Sequence, residues 1–327
     1  MSTTAQEPTT APAPTPAPPT PIKAKQRLGD RVFSGTALAA GIIILVVLAL
    51  VAAFLIIQSL PAFQLDTTDN HILRGESFWV YVWPLVFGTL WASLIALLIA
   101  APIAIGIALF ISHYAHRRLA SFLGYIIDLL AAVPSVVFGL WGGLVLAPML
   151  QPIYVWLNEN ASWVPFFGGQ VSATGKTILT AALVLAVMCI PIMTAICREV
   201  FLQTPKLHEE AALALGSTRW EMVRMAVLPF ARGGMVSAAM LALGRALGET
   251  MAVTMVLSPS AVVSFLVLTA TNPTPIPANI ALAFPEAHGT GVNTLIATGL
   301  ILFVVTFAVN ALARWIVARR AEFSGAN

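Results

Sequence analysis

The chain has 327 residues, 58% of them hydrophobic and only 9% charged, with 17 Lys/Arg against 14 Asp/Glu for a formal charge of +3. A soluble domain carries about 25% charged residues, so water cannot be the solvent of most of this chain. Its basic residues are spread over several loops and form no single patch, which argues against a nucleic-acid surface.

The first 21 residues, MSTTAQEPTTAPAPTPAPPTP, are rich in Pro, Thr and Ala. They cannot bury enough apolar surface to offset the entropy of ordering, so residues 1–30 are expected to form a disordered tail. Six apolar runs follow, at about 36–58, 82–111, 122–150, 173–197, 233–257 and 292–316. Each is long enough to cross a bilayer as a helix, which satisfies every backbone group in hydrocarbon. The first begins too far from the start for a signal peptide and is expected to stay as a membrane helix. A further run, Val262 to Ala270, is too short to cross and leads into Thr-Asn-Pro-Thr-Pro-Ile-Pro, so 258–291 is expected to be an extramembrane or re-entrant loop. Pro102, Pro134 and Pro191 predict kinks inside the spans. A transmembrane domain over 31–320 and a short tail at 321–327 complete the division.

Basic residues alternate with the spans. Lys23, Lys25, Arg27 and Arg31 precede the first, and Arg117 and Arg118 follow the second. Arg198, Lys206, Arg219, Arg224 and Arg232 lie between the fourth and fifth, and Arg314, Arg319 and Arg320 follow the sixth. The other loops hold Arg74 and Lys176 but mostly acids, among them Asp66, Asp69, Glu76, Glu159 and Glu286. The positive-inside rule then predicts that both termini and the 198–232 loop are cytoplasmic. Trp79, Trp83, Trp156 and Trp163 fall near the outer boundary, as interfacial anchors do.

Within the 198–232 loop, Thr204 is placed to cap a helix with Pro205 at its first position, running from Lys206 to Leu215. Leu207, Ala211, Ala214 and Leu215 share one face, and Glu209 and Glu210 lie near its start. Gly216 permits a sharp turn, Ser217 can begin a second short helix, and Pro229 marks a bend into the fifth span. Local physics allows either a plain amphipathic connector or a lever inserted in a partner's groove. The order Glu210-Ala211-Ala212, three residues, Gly216, then on to Leu228-Pro229 resembles the EAA loop of ABC-importer permeases, with Ala226 where that family usually has Ile. The resemblance implies that these six residues dock a separate ATPase.

The fifth span carries Arg245 and Glu249 near its middle. Each charge at that depth costs about 2.5–3.5 kcal/mol on insertion scales. Spaced four apart, they are expected to share a helix face and pair, with Gly244 and Gly248 beside them at a spacing that admits another backbone. A guanidinium offers a planar fork of donors to a carboxylate or phosphate, so the pair reads either as packing or as an anion site in which Glu249 keeps binding weak. Gly244-Arg-Ala-Leu-Gly-Glu-Thr-Met-Ala-Val-Thr254 and Asp128-Leu-Leu-Ala-Ala-Val-Pro-Ser-Val-Val-Phe-Gly-Leu-Trp-Gly142 resemble segments of the PstC-type permease subunits of phosphate ABC importers. That resemblance spans roughly residues 30 to 320. It implies an all-α integral membrane protein of the MetI-like, type I permease fold, with phosphate as solute and Arg245, Glu249 and Thr250 in its path. It also implies four partners: a PstA-like second permease subunit, an ATPase dimer that binds the ATP, an extracytoplasmic phosphate-binding protein and the lipid bilayer. No cofactor or metal is expected in this chain.

Asp128, inside the third span, is expected to pair with Arg117, Arg118 or Arg198. Cys189 and Cys197 read as a pair of buried thiols without a ligand cluster. Gly169-Gln-Val-Ser-Ala-Thr-Gly175-Lys176-Thr177 nearly spells a phosphate-binding loop, but it has five residues between the glycines where four are needed and no strand before it. The spans contain no H-E-x-x-H, no G-x-S-x-G and no paired catalytic acids, which argues against an intramembrane enzyme. A channel would not need an ATPase-docking loop, and Arg245 alone would also suit sulfate or molybdate.

Overall fold

A computed structural model describes residues 28–64, 70–73 and 75–321. The Pro/Thr/Ala-rich start falls outside them. The chain divides into two units, 1–51 and 52–327. The described part of the first is a single apolar helix, the opening of α1 (Leu28–Gln64), on which Leu38, Ile42, Leu45 and Leu48 are exposed, as a lipid-facing helix requires.

The second unit is helical almost throughout. α2 (Phe78–Leu109) and α6 (Ile178–Leu202) form its centre. Ala92, Ala96, Ala100, Ala104 and Ala108 recur every fourth residue along α2, and all are buried. Small side chains on one stripe let two backbones approach closely, which substitutes for the hydrophobic effect that lipid does not supply. At this contact the Thr194 hydroxyl donates to the Ala104 carbonyl at 3.4 Å. Pro102 and Pro191 lie inside these two helices without ending either.

The expected third span is two elements. α3 (Arg117–Ala131) is an amphipathic helix of its own, and the chain breaks at Ala132–Pro134. The crossing helix is the continuous run Ser135–Asn160, made of α4 (Ser135–Trp141), a wide turn at Gly142–Leu146 and α5 (Ala147–Asn160). The residue before a proline avoids the helical region, and that preference won over the unbroken hydrophobicity of 122–150. Asp128 is therefore an exposed residue of α3, not of a span, and no ion pair joins it to Arg198. Instead the Arg198 guanidinium lies over Gly124, where a side chain would collide with it, and its Nε is buried without a hydrogen-bond partner.

Three turns are widened to i→i+5 hydrogen bonding, at Phe110–Tyr114, Gly142–Leu146 and Val223–Val227. The last two directly precede Pro148 and Pro229, each at a second helical position. A proline ring crowds the carbonyl four residues back, and the looser turn makes room for it. Pro229 thus does not end the helix: α8 (Arg219–Met222), the wide turn and α9 (Leu228–Gly248) run on without a break.

The loop after the fifth span folds back onto the helices. It carries α10 (Met251–Val256), a parallel pair β1 (Pro259–Ser260) and β2 (Asn272–Pro273), and α11 (Ile276–Ala283). Asn272 Oδ1 accepts from the Ile178 N–H at 3.0 Å, satisfying a free donor at the start of α6. The Ile276 N–H donates to Thr89 Oγ1 at 2.9 Å, so the loop is pinned between α2 and α6. The last helix, α12 (Thr290–Ala321), closes the unit. In all, six helices among the described residues are long and apolar enough to cross a membrane.

Candidate functional site: a docking loop and a guanidinium groove

Between the fourth and fifth crossing helices lies α7 (Lys206–Ala214), followed by a turn and α8. Pro205, not Thr204, occupies the position before the first helical residue, and the Thr204 hydroxyl is buried without a partner. Gly216 adopts φ +85°, which only glycine reaches at no steric cost. The second helix begins one residue later than expected. Thr218 Oγ1 accepts from the Glu221 N–H at 3.3 Å, and Glu221 Oε2 accepts from the Thr218 N–H at 2.8 Å. This reciprocal cap outcompetes Ser217, whose hydroxyl donates back to the Ala212 carbonyl at 2.8 Å.

Ala212 and Leu228 face inward, against Phe201, Met222, Val223 and Val227. The opposite face is bare: Leu207 is 74% exposed, Leu215 90% and Trp220 56%, with Glu210, Ala211 and Pro229 also exposed. The geometry is a short lever, anchored by one face and offering the other. Glu209 meets His113 of the wide turn after α2, with Oε1 and Nε2 3.5 Å apart. His113 Nδ1 in turn lies 2.7 Å from Ser112 Oγ. Nothing in the sequence pattern of 198–232 pointed to His113, because its partner lies across the fold.

The intramembrane charges are arranged differently from the expected pair. α9 ends at Gly248, and Glu249 takes extended backbone angles of φ −70° and ψ 126°. The two side chains therefore do not share a helix face, and no ion pair joins them. Glu249 Oε1 instead accepts from the Ala252 N–H at 3.1 Å, capping α10, while the Thr250 hydroxyl donates to the Gly248 carbonyl at 3.3 Å. α10 lies in a glycine-lined seat: a Cβ added at Gly139 would meet Ala252 Cα at 2.8 Å, and one at Gly143 would meet the Met255 carbonyl oxygen at 2.7 Å. Gly244 and Gly248, by contrast, have open space where their side chains would be, so no backbone of this chain uses them for close approach.

Arg245 lines a groove of about 1200 Å³ together with residues of α6, α9 and α12. Its Nε is buried and has no hydrogen-bond partner. Among the described residues the groove lining includes Arg314, Asn310 and Ser237 as further polar side chains and no carboxylate. A separate apolar crevice near Trp83 is lined by no charged group.

The near-match to a phosphate-binding loop is a packed turn. Gly175 has φ +69°, and a Cβ there would collide with the Ala147 carbonyl. Thr177 Oγ1 accepts from the Thr180 N–H at 3.2 Å as the cap of α6. No phosphate can enter a turn filled by another helix's backbone. No group of three or more His, Cys, Asp or Glu that could hold a metal occurs among the described residues, and Cys189 and Cys197 are free and buried.

Six candidate crossing helices among the described residues, an exposed lever between the fourth and fifth, and a cationic groove are the parts of a transport permease. Comparison with known proteins gives the family. Residues 100–322 match the binding-protein-dependent transport system inner membrane component, and the chain belongs to that family. It is a multi-pass protein of the inner membrane. The phosphate transport system permease protein PstC 2 of Mycobacterium tuberculosis is 46% identical over 324 residues, covering 94% of this chain and 96% of that one. The PstC protein of Mesorhizobium japonicum is 39% identical over 312 residues, covering 91% and 93%. Among solved structures, a bacterial ABC transporter involved in the import of the acidic polysaccharide alginate aligns with a TM-score of 0.60 over 90% of this chain and 99% of that one, at 17% identity, a likeness of fold.

Proposed function

We propose that this chain is a membrane subunit of an ATP-driven phosphate importer, forming half of the solute path and receiving its drive through the 203–218 lever. The observation that carries the reading is Arg245, a guanidinium with an unpartnered buried Nε facing a groove without acids. A cation left unsatisfied inside a membrane protein is costly unless something arrives to pair with it. The names of the relatives supply the anion, since they are permeases of phosphate transport systems. The basic loops argue for a cytosolic lever; on it Glu210, Ala211, Gly216 and Pro229 face an ATPase dimer that binds the ATP, and Ala212 and Leu228 anchor it from beneath. A PstA-like subunit completes the path, and an extracytoplasmic phosphate-binding protein delivers the ion on the other side.

The test is radiolabelled uptake into vesicles that hold the full complex. ATP-dependent accumulation of phosphate, with little of sulfate, is the expected result. Accumulation without ATP would make the protein a channel, and equal transport of sulfate or molybdate would remove phosphate as the solute.

A further inference from the structure

The groove does not end at Arg245. Along α9 its lining runs from Val236 to Arg245, about 13 Å of helix, and along α12 from Phe307 to Arg314, about 10 Å. α9 and α12 carry consecutive crossings and so run in opposite directions. Arg314 therefore lies toward the end of the groove nearest the docking loop, and Arg245 toward the membrane interior. Ser237 is one residue from the docking-loop end of the α9 lining, and Asn310 is one turn before Arg314 on α12, so both belong to Arg314's end of the groove.

Ser237 faces this space in a defined hydrogen-bonding state. Its hydroxyl donates to the Gly233 carbonyl at 3.0 Å, so it offers the groove only lone pairs. Asn310 brings both an amide donor and an acceptor, and Arg314 brings a fixed positive charge. An oxyanion that still carries a proton can satisfy all three, giving its O–H to Ser237 and accepting from the amide and the guanidinium. A fully ionised oxyanion sets lone pairs against the lone pairs of Ser237, and a site built to accept a proton rejects an analogue that lacks it.

The geometry points to a second oxyanion station, formed by Arg314, Asn310 and Ser237 on the docking-loop side of Arg245, that favours a protonated tetrahedral anion such as phosphate over sulfate. It deepens the reading of Arg245 above and rests on it. Two cationic stations in one acid-free groove let the ion leave the first without crossing an uncompensated stretch. Arg314 is exposed where Arg245 is partly buried, so its grip is weaker and favours release on the docking-loop side.

Ala311 also lines the groove and is exposed, which makes Ala311→Cys a reporter. Cys189 and Cys197 are buried and give a quiet background. In inside-out vesicles holding the complete complex, the rate at which a cationic methanethiosulfonate modifies that cysteine is measured with inorganic phosphate, with sulfate and with neither. Phosphate is expected to slow modification by about threefold or more, an affinity effect of under 1 kcal/mol, and equimolar sulfate much less. Adding Arg314→Gln should abolish protection, Arg314→Lys should restore most of it, and Ser237→Ala should level the two anions. Protection that survives Arg314→Gln overturns the station, and equal protection by both anions without Ser237→Ala overturns its selectivity. If Arg245→Ala abolishes uptake yet phosphate never protects, the station fails while the Arg245 reading stands. If Arg245→Ala transports normally, both fall.

Discussion

Glu249 accepts the Ala252 N–H at 3.1 Å, so the carboxylate that stands four residues after Arg245 caps the next helix and does not neutralise the guanidinium. The break at Glu249–Thr250 separates α9 from α10 and lets α10 settle against Gly139 and Gly143. Glu249→Gln keeps the accepting oxygen. Uptake by that variant is expected to stay within about twofold of the parent, while Glu249→Ala removes the cap and lowers stability by about 1 kcal/mol. Uptake and thermal unfolding of the purified complex check this. Loss of transport in Glu249→Gln with unchanged stability would show that the charge itself faces the solute.

Arg245→Ala is expected to abolish phosphate uptake and leave assembly intact. The side chain lines an open groove and makes no hydrogen bond through Nε, so its removal breaks no internal contact seen in the fold. Arg245 is only partly buried and its Nε has no partner, so truncating it breaks no ion pair that the fold relies on. Co-purification of the partner subunits alongside the uptake assay separates the two effects. Uptake at the parental rate would take Arg245 out of the path.

The docking face gives a third expectation. Leu207 and Leu215 are among the most exposed apolar side chains of the chain, and neither contributes to the core beneath the lever. Leu207→Asp with Leu215→Asp should leave the membrane helices folded and cost the ATPase at least about tenfold in affinity, or roughly 1.4 kcal/mol. Ala212→Asp, on the anchored face, should instead destabilise the lever itself. Pull-down of the ATPase with each variant, against helical content by circular dichroism, tells the two faces apart. Retention of the ATPase by both variants at the parental level would mean that the lever is not its seat.

The crossings and the docking loop could be read from the sequence because both are local patterns. Twenty apolar residues make a span whatever lies beside them, and Glu210 to Gly216 form a continuous motif. The errors fell where tertiary contacts or backbone breaks decide the outcome. Pro134 split the run 122–150, and Gly248-Glu249 ended a helix whose hydrophobicity continues to Leu257. Arg245 and Glu249 could share a face at i, i+4 only in an unbroken helix, and α9 ends at Gly248. His113 and Arg314 joined the picture only in three dimensions, one through Glu209 and the other through the groove. The alanines at every fourth position of α2 were visible all along, and their spacing marks the face that α6 covers.

The glycine-rich stretch before α6 supplies the last expectation. Gly175 combines a left-handed backbone with a missing side chain directed at the Ala147 carbonyl, so Gly175→Ala meets two penalties at once. A left-handed L-residue costs about 1–2 kcal/mol, and overpacking against rigid backbone adds about 1–3 kcal/mol. The cost falls on the seam between α5 and α6, which the Tyr154–Thr180 hydrogen bond of 2.7 Å also holds. Gly175→Ala should therefore lower the yield of folded complex severalfold. Lys176→Ala, whose neighbour in a nucleotide loop would be the phosphates, should leave yield and ATP-driven uptake unchanged, because here the half-buried lysine follows a packed turn. Size-exclusion yield and uptake per assembled complex distinguish the two. A Lys176→Ala complex that assembles normally but no longer responds to ATP would restore the nucleotide reading of this segment.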